Sequence, residues 1–181
     1  MEFRDLSRAV VADVAKCVES VDERAVRALV DALAAGRKVF LVGTGRSGAV
    51  LQAMAIRLGH VGVEARVVGS PGCPPVGRGD LVLVGSGSGR TPATLERARA
   101  ARGAGALVAA VTADPSSPIA EMSAIVVHIP ADAAPREGTP HTLRSLFEEC
   151  LMIVCDCVCR MVQEKLGVST QDMQSRHSSV E

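Results

Sequence analysis

The sequence predicts an α/β fold, a three-layer sandwich in which a five-stranded parallel sheet lies between two layers of helices. Five short, continuously apolar runs recur along the chain, and segments with helical periodicity separate most of them. Strands that alternate with helices form parallel sheets, because each right-handed crossover places its helix on a face of the sheet. A strand covered on both faces is apolar on both, so continuous runs fit this architecture better than alternating ones.

The predicted elements follow one another in a regular order. Helical spacing of apolar residues predicts two leading helices, at 2–19 and 22–35. The predicted strands are 38–43, 64–69, 80–85, 106–112 and 124–129, and the predicted later helices are 47–59, 92–103, 116–121 and 142–166. Segment 70–79 has three prolines and three glycines and is expected to replace a crossover helix.

The domain organisation follows from this order of elements. We expect one domain over 1–181, with the amino-terminal helices in 1–37 and the carboxyl-terminal helix and a polar tail in 142–181. The sequence shows neither a second domain nor a solenoid repeat.

Composition and charge exclude several classes of protein. Twenty basic residues balance 20 acidic ones, so the electrostatic footprint of a nucleic-acid or membrane partner is missing. Three Phe with no Tyr or Trp cannot build the stacking platforms of single-strand binders. The charged amino terminus does not resemble a signal peptide, and no apolar stretch is long enough for a membrane helix. We therefore expect a cytoplasmic protein that binds neither nucleic acid nor membrane.

Four of the six cysteines cluster between Cys150 and Cys159, which raises the question of a metal site. On a continuous helix, Cys155 and Cys159 share a face while Cys157 points elsewhere, so four thiolates would not converge on one ion. Disulfides are improbable in a reducing compartment. We expect these cysteines to pack as small apolar residues and the protein to use no metal.

Two loops rich in glycine and serine carry the strongest functional signal. GTGRSG (43–48) follows the first predicted strand and GSGSGRT (85–91) follows the third, and each leads into a helix. Ligands of parallel sheets bind beyond the carboxyl ends of the strands. Glycines let backbone N–H groups point at one spot, hydroxyls add donors, and helix N-termini add partial positive charge. The two loops therefore predict a phosphate site.

Three other interpretations of these loops compete with a phosphate site. Gly43, Gly45 and Gly48 have the G-x-G-x-x-G spacing of a dinucleotide fingerprint, but no acidic residue follows the second strand to bind a ribose. A Walker loop is excluded because no G-K-[ST] follows. That both loops are only tight turns stays open, although turning alone does not require so many serines.

The pair GTGRSG and SGSGRT resembles the double signature of the sugar isomerase (SIS) domain, and the likeness covers nearly the whole chain. Within that family the sequence most resembles the 6-phospho-3-hexuloisomerases, also in its length and its two leading helices. The further matching residues are Arg57, Leu58, His60, 110–112, Phe147, Glu148, Arg176, His177 and Glu181.

The resemblance implies a flavodoxin-like or Rossmann-like sheet and a cofactor-free isomerase. It implies interconversion of D-arabino-3-hexulose 6-phosphate and D-fructose 6-phosphate through an enediolate, a step of formaldehyde assimilation by the ribulose monophosphate pathway. It implies Glu148 as the acid/base and His177 as a residue supplied by a neighbouring subunit. The residues implied to bind the phosphate are Ser47, Ser86, Ser88 and Thr91, and the remaining substrate or loop candidates are Gly45, Arg46, Gly87 and His141.

The tail adds an expectation about assembly. Arg176 and His177 lie in a polar segment beyond the last predicted helix, and such a segment is ordered only where it docks. We expect its own domain to be poorly placed to bind this segment. The leading helices and the 142–166 helix are more apolar than one sheet requires, which indicates subunit contacts. We expect a homotetramer, built as a dimer of dimers with shared active sites.

The sequence departs from the family at three positions that bear on the substrate. Arg90 stands where members usually have Glu, and Thr142 and Arg144 stand where Pro and Gly are expected. Another SIS aldose–ketose phosphate isomerase therefore stays an alternative. So does a non-catalytic sugar-phosphate-binding regulator, although the amino-terminal 37 residues are too short to form the separate DNA-binding module that regulators carry.

Overall fold

The computed structural model describes residues 2–131, 139–143 and 145–177. The strands are β1 (Val39–Val42), β2 (Ala65–Val67), β3 (Leu81–Gly85), β4 (Leu107–Thr112) and β5 (Ile125–His128). The helices are α1 (Phe3–Glu19), α2 (Glu23–Leu33), α3 (Gly45–Val61), α4 (Pro92–Gly103), α5 (Pro118–Met122), α6 (Ser145–Leu166) and α7 (Thr170–Ser175).

The five strands form one parallel sheet in the order β2-β1-β3-β4-β5, which confirms the predicted α/β fold. This is the flavodoxin-like strand order, whose direction reverses between β1 and β3. The chain leaves β1 through α3 and leaves β3 through α4, and these helices pack on opposite faces of the sheet. A crevice therefore opens at the carboxyl ends of β1 and β3, where such sheets bind ligands.

Alternate strand residues supply two apolar cores, one on each face of the sheet. Leu41 and Leu83 face the larger core, which contains side chains of α1, α2, α3 and α6. Phe40 and Val82 face the smaller core, which contains side chains of α4 and α5. The four strand residues are fully buried, which explains why each strand is a continuous apolar run in the sequence.

The loop after β2 replaces a crossover helix, as its prolines and glycines predict. Val68, Cys73 and Val76 pack against the smaller core and cover the part of it that a helix would otherwise cover. The 142–166 prediction is wrong at its start, because Thr142 and Leu143 are not helical and α6 is described from Ser145. Arg144 and residues 132–138 lie outside the described residues.

A short helix in the tail was not predicted. At the start of α7, Ser169 Oγ accepts a hydrogen bond from the backbone N–H of Asp172, and the Asp172 carboxylate accepts one from the backbone N–H of Ser169, which makes a capping box. The hydrogen bonds from Ser169 lower the pKa of the Asp172 carboxyl. The S-x-x-D spacing indicates the start of a helix, but the tail has no apolar periodicity that would have predicted one.

The cysteines of α6 lie as helical spacing predicts. Cys150, Cys155 and Cys159 are buried, whereas Cys157 is exposed. Burial raises the pKa of the Cys155 thiol and raises that of Cys159 to about 12, so both are thiols at neutral pH. Within the described ranges, no group of three or more His, Cys, Asp or Glu residues is placed to hold a metal ion.

None of the helices in the described part of the chain is both long enough and apolar enough to cross a membrane.

Candidate active site

The crevice at the ends of β1 and β3 contains a pocket of about 250 Å³. The loops after both strands reach it, together with residues after β4 and β5 and the first turn of α6. The lining residues are Thr44, Arg46, Ser47, Gly85, Ser86, Gly87, Ser88, Thr91, Ala113, Ala131, Phe147 and Glu148.

The first loop brings the N-terminus of α3 to the pocket. A Cβ atom on Gly48 would lie 2.9 Å from the carbonyl oxygen of Gly43, so both glycines permit a close approach of loop and helix. Gly45 has a φ of 57°, a left-handed conformation that favours glycine. Thr44 is the N-cap, but its side chain does not cap the helix, which leaves first-turn N–H groups available to a ligand.

The second loop holds three hydroxyl residues at the N-terminus of α4. Ser86 Oγ accepts a hydrogen bond from Gly89 N at 3.2 Å and lies 3.4 Å from Thr91 Oγ1. Ser88 Oγ accepts from the backbone N–H of Arg90 at 3.2 Å. Gly89 has a φ of 59°, and a Cβ atom there would overlap Ser117 Oγ. The shape of this loop therefore requires glycine at position 89.

Both helix N-termini are suited to an anion. Neither α3 nor α4 has an acidic residue in its first turn, and Arg46 adds a cation to the first turn of α3. Ser47 and Ser86 are buried at the pocket. Partial positive charge, N–H groups and hydroxyls thus meet at one place, which is the chemistry that binds a phosphate.

Glu148 is the carboxylate of this pocket. Its side chain is 18% exposed, and its Oε2 atom lies 3.4 Å from Nη2 of Arg46. Burial raises the pKa of Glu148, while the charge of Arg46 and a hydrogen bond with Ser47 lower it, and the net shift is upward. Oε2 is buried. Such a carboxylate is suited to exchange a proton with a ligand.

Arg46 has a second contact, because its Nη2 also donates a hydrogen bond to the carbonyl oxygen of Leu143 at 2.6 Å. This bond joins the first turn of α3 to the segment before α6. The guanidinium is thereby held beside Glu148 although the Arg46 side chain is 52% exposed.

Replacing Arg46 by Met should raise the pKa of Glu148 further, because the change removes a cation that lowers it. Titration of the Glu148 carboxyl carbon by ¹³C NMR measures this directly. Arg57→Met is a matched control, because Arg57 also lies on α3 but pairs with Asp156. An unchanged Glu148 titration in Arg46→Met would contradict the contact.

Most of the site residues that the sequence predicts line this pocket. Ser47, Ser86, Ser88 and Thr91 line it, as do Arg46, Gly87 and Glu148. Gly45 contributes only the backbone at the start of α3. Arg90, one of the departures from the family, does not line the pocket and pairs with Asp114 at 3.0 Å.

His141 does not approach the pocket as expected. Its ring is buried between two carboxylates, with Nε2 3.3 Å from Asp13 Oδ2 and Nδ1 2.8 Å from Glu149 Oε2. The expectation failed because the sequence gives no sign that α1 packs against the start of α6.

The tail contacts its own chain. The expectation that its own domain has no surface to bind it is therefore wrong. Arg176 Nη1 donates to the carbonyl oxygen of His60 at 3.0 Å, and the rings of His60 and His177 stack at 5.0 Å. His60 lies in the last turn of α3, about 20 Å along the helix from Arg46 at 1.5 Å per residue. Within one chain, His177 is therefore remote from Glu148.

Sequence reasoning missed Thr44, Ala113 and Ala131 as lining residues. Thr44 lies inside the first loop motif, and the two alanines follow β4 and β5 closely. The rule that ligands bind beyond the carboxyl ends of strands, applied to every strand, would have found them.

Known proteins agree with this fold. The family model of the SIS domain matches residues 32–145, so the chain belongs to the SIS domain family. It is 37% identical over 173 residues to the 3-hexulose-6-phosphate isomerase of Mycobacterium gastri, covering 93% of this chain and 86% of that protein. It is 33% identical over 157 residues to the 3-hexulose-6-phosphate isomerase of Bacillus subtilis (strain 168), covering 84% of this chain and 85% of that protein.

A solved structure shows the same fold. A protein of Methanococcus jannaschii superposes on this chain with a TM-score of 0.81. A molecular function of 3-hexulose-6-phosphate isomerase was inferred for that protein from its crystal structure. The superposition covers 97% of each chain at 24% sequence identity, so it bears on the fold alone.

Proposed function

We propose that this protein interconverts D-arabino-3-hexulose 6-phosphate and D-fructose 6-phosphate. The names of the two relatives above support this substrate, and they match over most of both chains. The observation that carries the proposal is Glu148, a mostly buried carboxylate with a raised pKa in the same pocket as the hydroxyl loops. A phosphate anchor combined with one acid/base is what this isomerisation requires.

The reaction moves a carbonyl group between C3 and C2. With the phosphate held by Ser47, Ser86, Ser88 and Thr91, Glu148 would take the proton from C2 of the 3-hexulose, which leaves a 2,3-enediolate. Protonation at C3, with transfer of the hydroxyl proton between the two oxygens, gives fructose 6-phosphate and returns Glu148 to its carboxylate form. Atoms and charge balance without an oxidant or a cofactor.

Arg46 would have two roles in this reaction. Its charge limits the rise in the pKa of Glu148, which favours the carboxylate form that accepts the proton. The guanidinium also lies beside the reacting group, where it would stabilise negative charge that develops on the enediolate oxygens.

A panel of sugar phosphates tests the function. Purified protein should convert D-arabino-3-hexulose 6-phosphate to fructose 6-phosphate at least about 10²-fold faster than pentose or heptulose phosphates. Turnover should be the same after treatment with EDTA, because the proposed steps use only protein groups. Preference for an aldose phosphate, loss of activity that zinc or magnesium restores, or binding without turnover would each contradict the proposal.

We further propose that the active site is shared between subunits of a dimer of dimers. Large apolar side chains are exposed on the outer helices, which favours contacts between subunits. If a neighbouring subunit supplied His177 to the site, this residue could act there although it is far from Glu148 in its own chain. The exposed apolar side chains on α1, α3 and α6 include Phe3, Val11, Ile56, Met152 and Ile153.

Mixing two inactive variants tests the shared site. When Glu148→Gln and His177→Ala proteins are denatured and refolded together, some hybrid sites should contain both wild-type residues and recover activity. Each variant refolded alone is the control. Hybrid oligomers that form but remain inactive would exclude a catalytic role for His177 in the neighbouring subunit.

A further inference from the structure

His141 is a buried polar side chain that the proposed reaction does not use. Its side chain is 3% exposed, and its two ring nitrogens contact carboxylates from two different helices. Asp13 belongs to α1, and Glu149 belongs to α6 and directly follows Glu148. Burying a polar side chain is costly unless it has polar partners, and Asp13 and Glu149 are the partners of this ring.

Imidazole is well suited to this position. Its two nitrogens point in different directions, so one side chain can contact α1 and α6 at the same time. The backbone of the same residue is also held, because His141 N donates to Thr139 Oγ1 at 3.3 Å. The segment before α6 is thus attached to two helices at position 141.

The next residues connect this attachment to the pocket. Leu143 has a φ of 46° although it is not glycine, and the residue is 77% exposed. A branched residue in the left-handed region is disfavoured, so contacts on either side must hold it there. His141 precedes it, and Arg46 binds its carbonyl oxygen and contacts Glu148.

We propose that His141 is a positioning residue: its contacts with Asp13 and Glu149 fix the Leu143 carbonyl, which in turn holds Arg46 against Glu148. The catalytic consequence rests on Glu148 acting as the base in the proposed function. The positioning itself does not, because the placement of Arg46 affects the protonation of Glu148 whether or not a substrate is present.

A double-mutant cycle between His141→Leu and Arg46→Met tests this inference. The first measurement is the titration of the Glu148 carboxyl carbon by ¹³C NMR without substrate. His141→Leu should raise the pKa of Glu148 in the wild-type background, because Arg46 is no longer held beside it. In the Arg46→Met protein, His141→Leu should change the pKa of Glu148 less. Arg46 is already absent there, so the replacement can act only through the charge of Glu149, which raises the pKa of Glu148.

The second measurement is turnover of the hexulose phosphate. His141→Leu should lower kcat roughly five- to tenfold with KM nearly unchanged, because the phosphate loops are untouched, and less than about twofold in the Arg46→Met background. Equal effects in both backgrounds, in either measurement, would overturn the positioning role. Absence of turnover in the wild type would overturn the proposed function while leaving the NMR test intact.

Two further variants keep the test decisive. Asp13→Asn removes one carboxylate at a half-exposed position, so it provides a milder form of the same cycle if His141→Leu does not fold. Asp156→Asn breaks the Arg57 pair between α3 and α6 and is the matched control for lost helix contacts. If Asp156→Asn shifts the Glu148 titration as much as Asp13→Asn does, general loosening of α6 explains the effect and the proposal fails.

Discussion

Glu148→Gln should abolish turnover while leaving substrate binding nearly unchanged. The amide keeps the size of the side chain but cannot accept a proton from carbon, and loss of a positioned base costs about 10²–10⁴-fold in kcat. Steady-state kinetics give kcat, and isothermal titration calorimetry with fructose 6-phosphate gives the affinity.

Glu164→Gln is the matched control, because Glu164 lies on the same helix but is exposed and pairs with Arg160. It should behave like the wild type. If Glu148→Gln retained a near-normal kcat, the base would have to be another group, and the pocket would bind the sugar phosphate without Glu148 taking part in the chemistry.

The double variant Ser86→Ala and Ser88→Ala should lose most of its phosphate binding. Two hydrogen bonds to a dianion disappear, and each such charge-assisted bond contributes about 1.5–3 kcal/mol, so kcat/KM should fall by about 10²-fold or more. The loss should appear mainly in KM, and inorganic phosphate should become a weaker competitive inhibitor.

Ser123→Ala controls for removal of a serine hydroxyl outside the pocket. Its Oγ donates to the carbonyl oxygen of Ile119 at the end of α5, and the variant should keep its KM. Unchanged kinetics in the double variant would refute the phosphate assignment. Circular dichroism should be recorded for the double variant, because Ser86 Oγ also holds the Gly89 amide.

The sheet and the phosphate loops could be predicted because their signals are local. A fully buried strand is an apolar run of consecutive residues, and Ser47 and Ser86 lie within a few residues of the strands that position them. The position of the pocket at β1 and β3 then follows from the rule that parallel sheets bind ligands beyond the carboxyl ends of their strands.

Contacts between distant segments could not be predicted. Arg46 meets Leu143 and Glu148 across about 100 residues of chain, and His141 meets Asp13 on the first helix. Neither contact leaves a periodic pattern, since each depends on how whole helices pack. Glu148 itself was singled out through the family motif, because a carboxylate next to Glu149 on a helix is equally consistent with a surface position.

The tail shows the same limit. Its polar sequence indicates only that it needs a partner surface, and it cannot specify which surface. The stacking of His177 on His60 depends on the exposed end of α3, an element more than 100 residues earlier in the chain.

Isomerisation in deuterated water tests the central claim most directly. If a carboxylate moves the proton through an enediolate, fructose 6-phosphate formed from D-arabino-3-hexulose 6-phosphate should carry solvent deuterium at C3, and Glu148→Gln should form none. Proton and ¹³C NMR of the product report the position of the label. Turnover with labelling that survives in Glu148→Gln would contradict it.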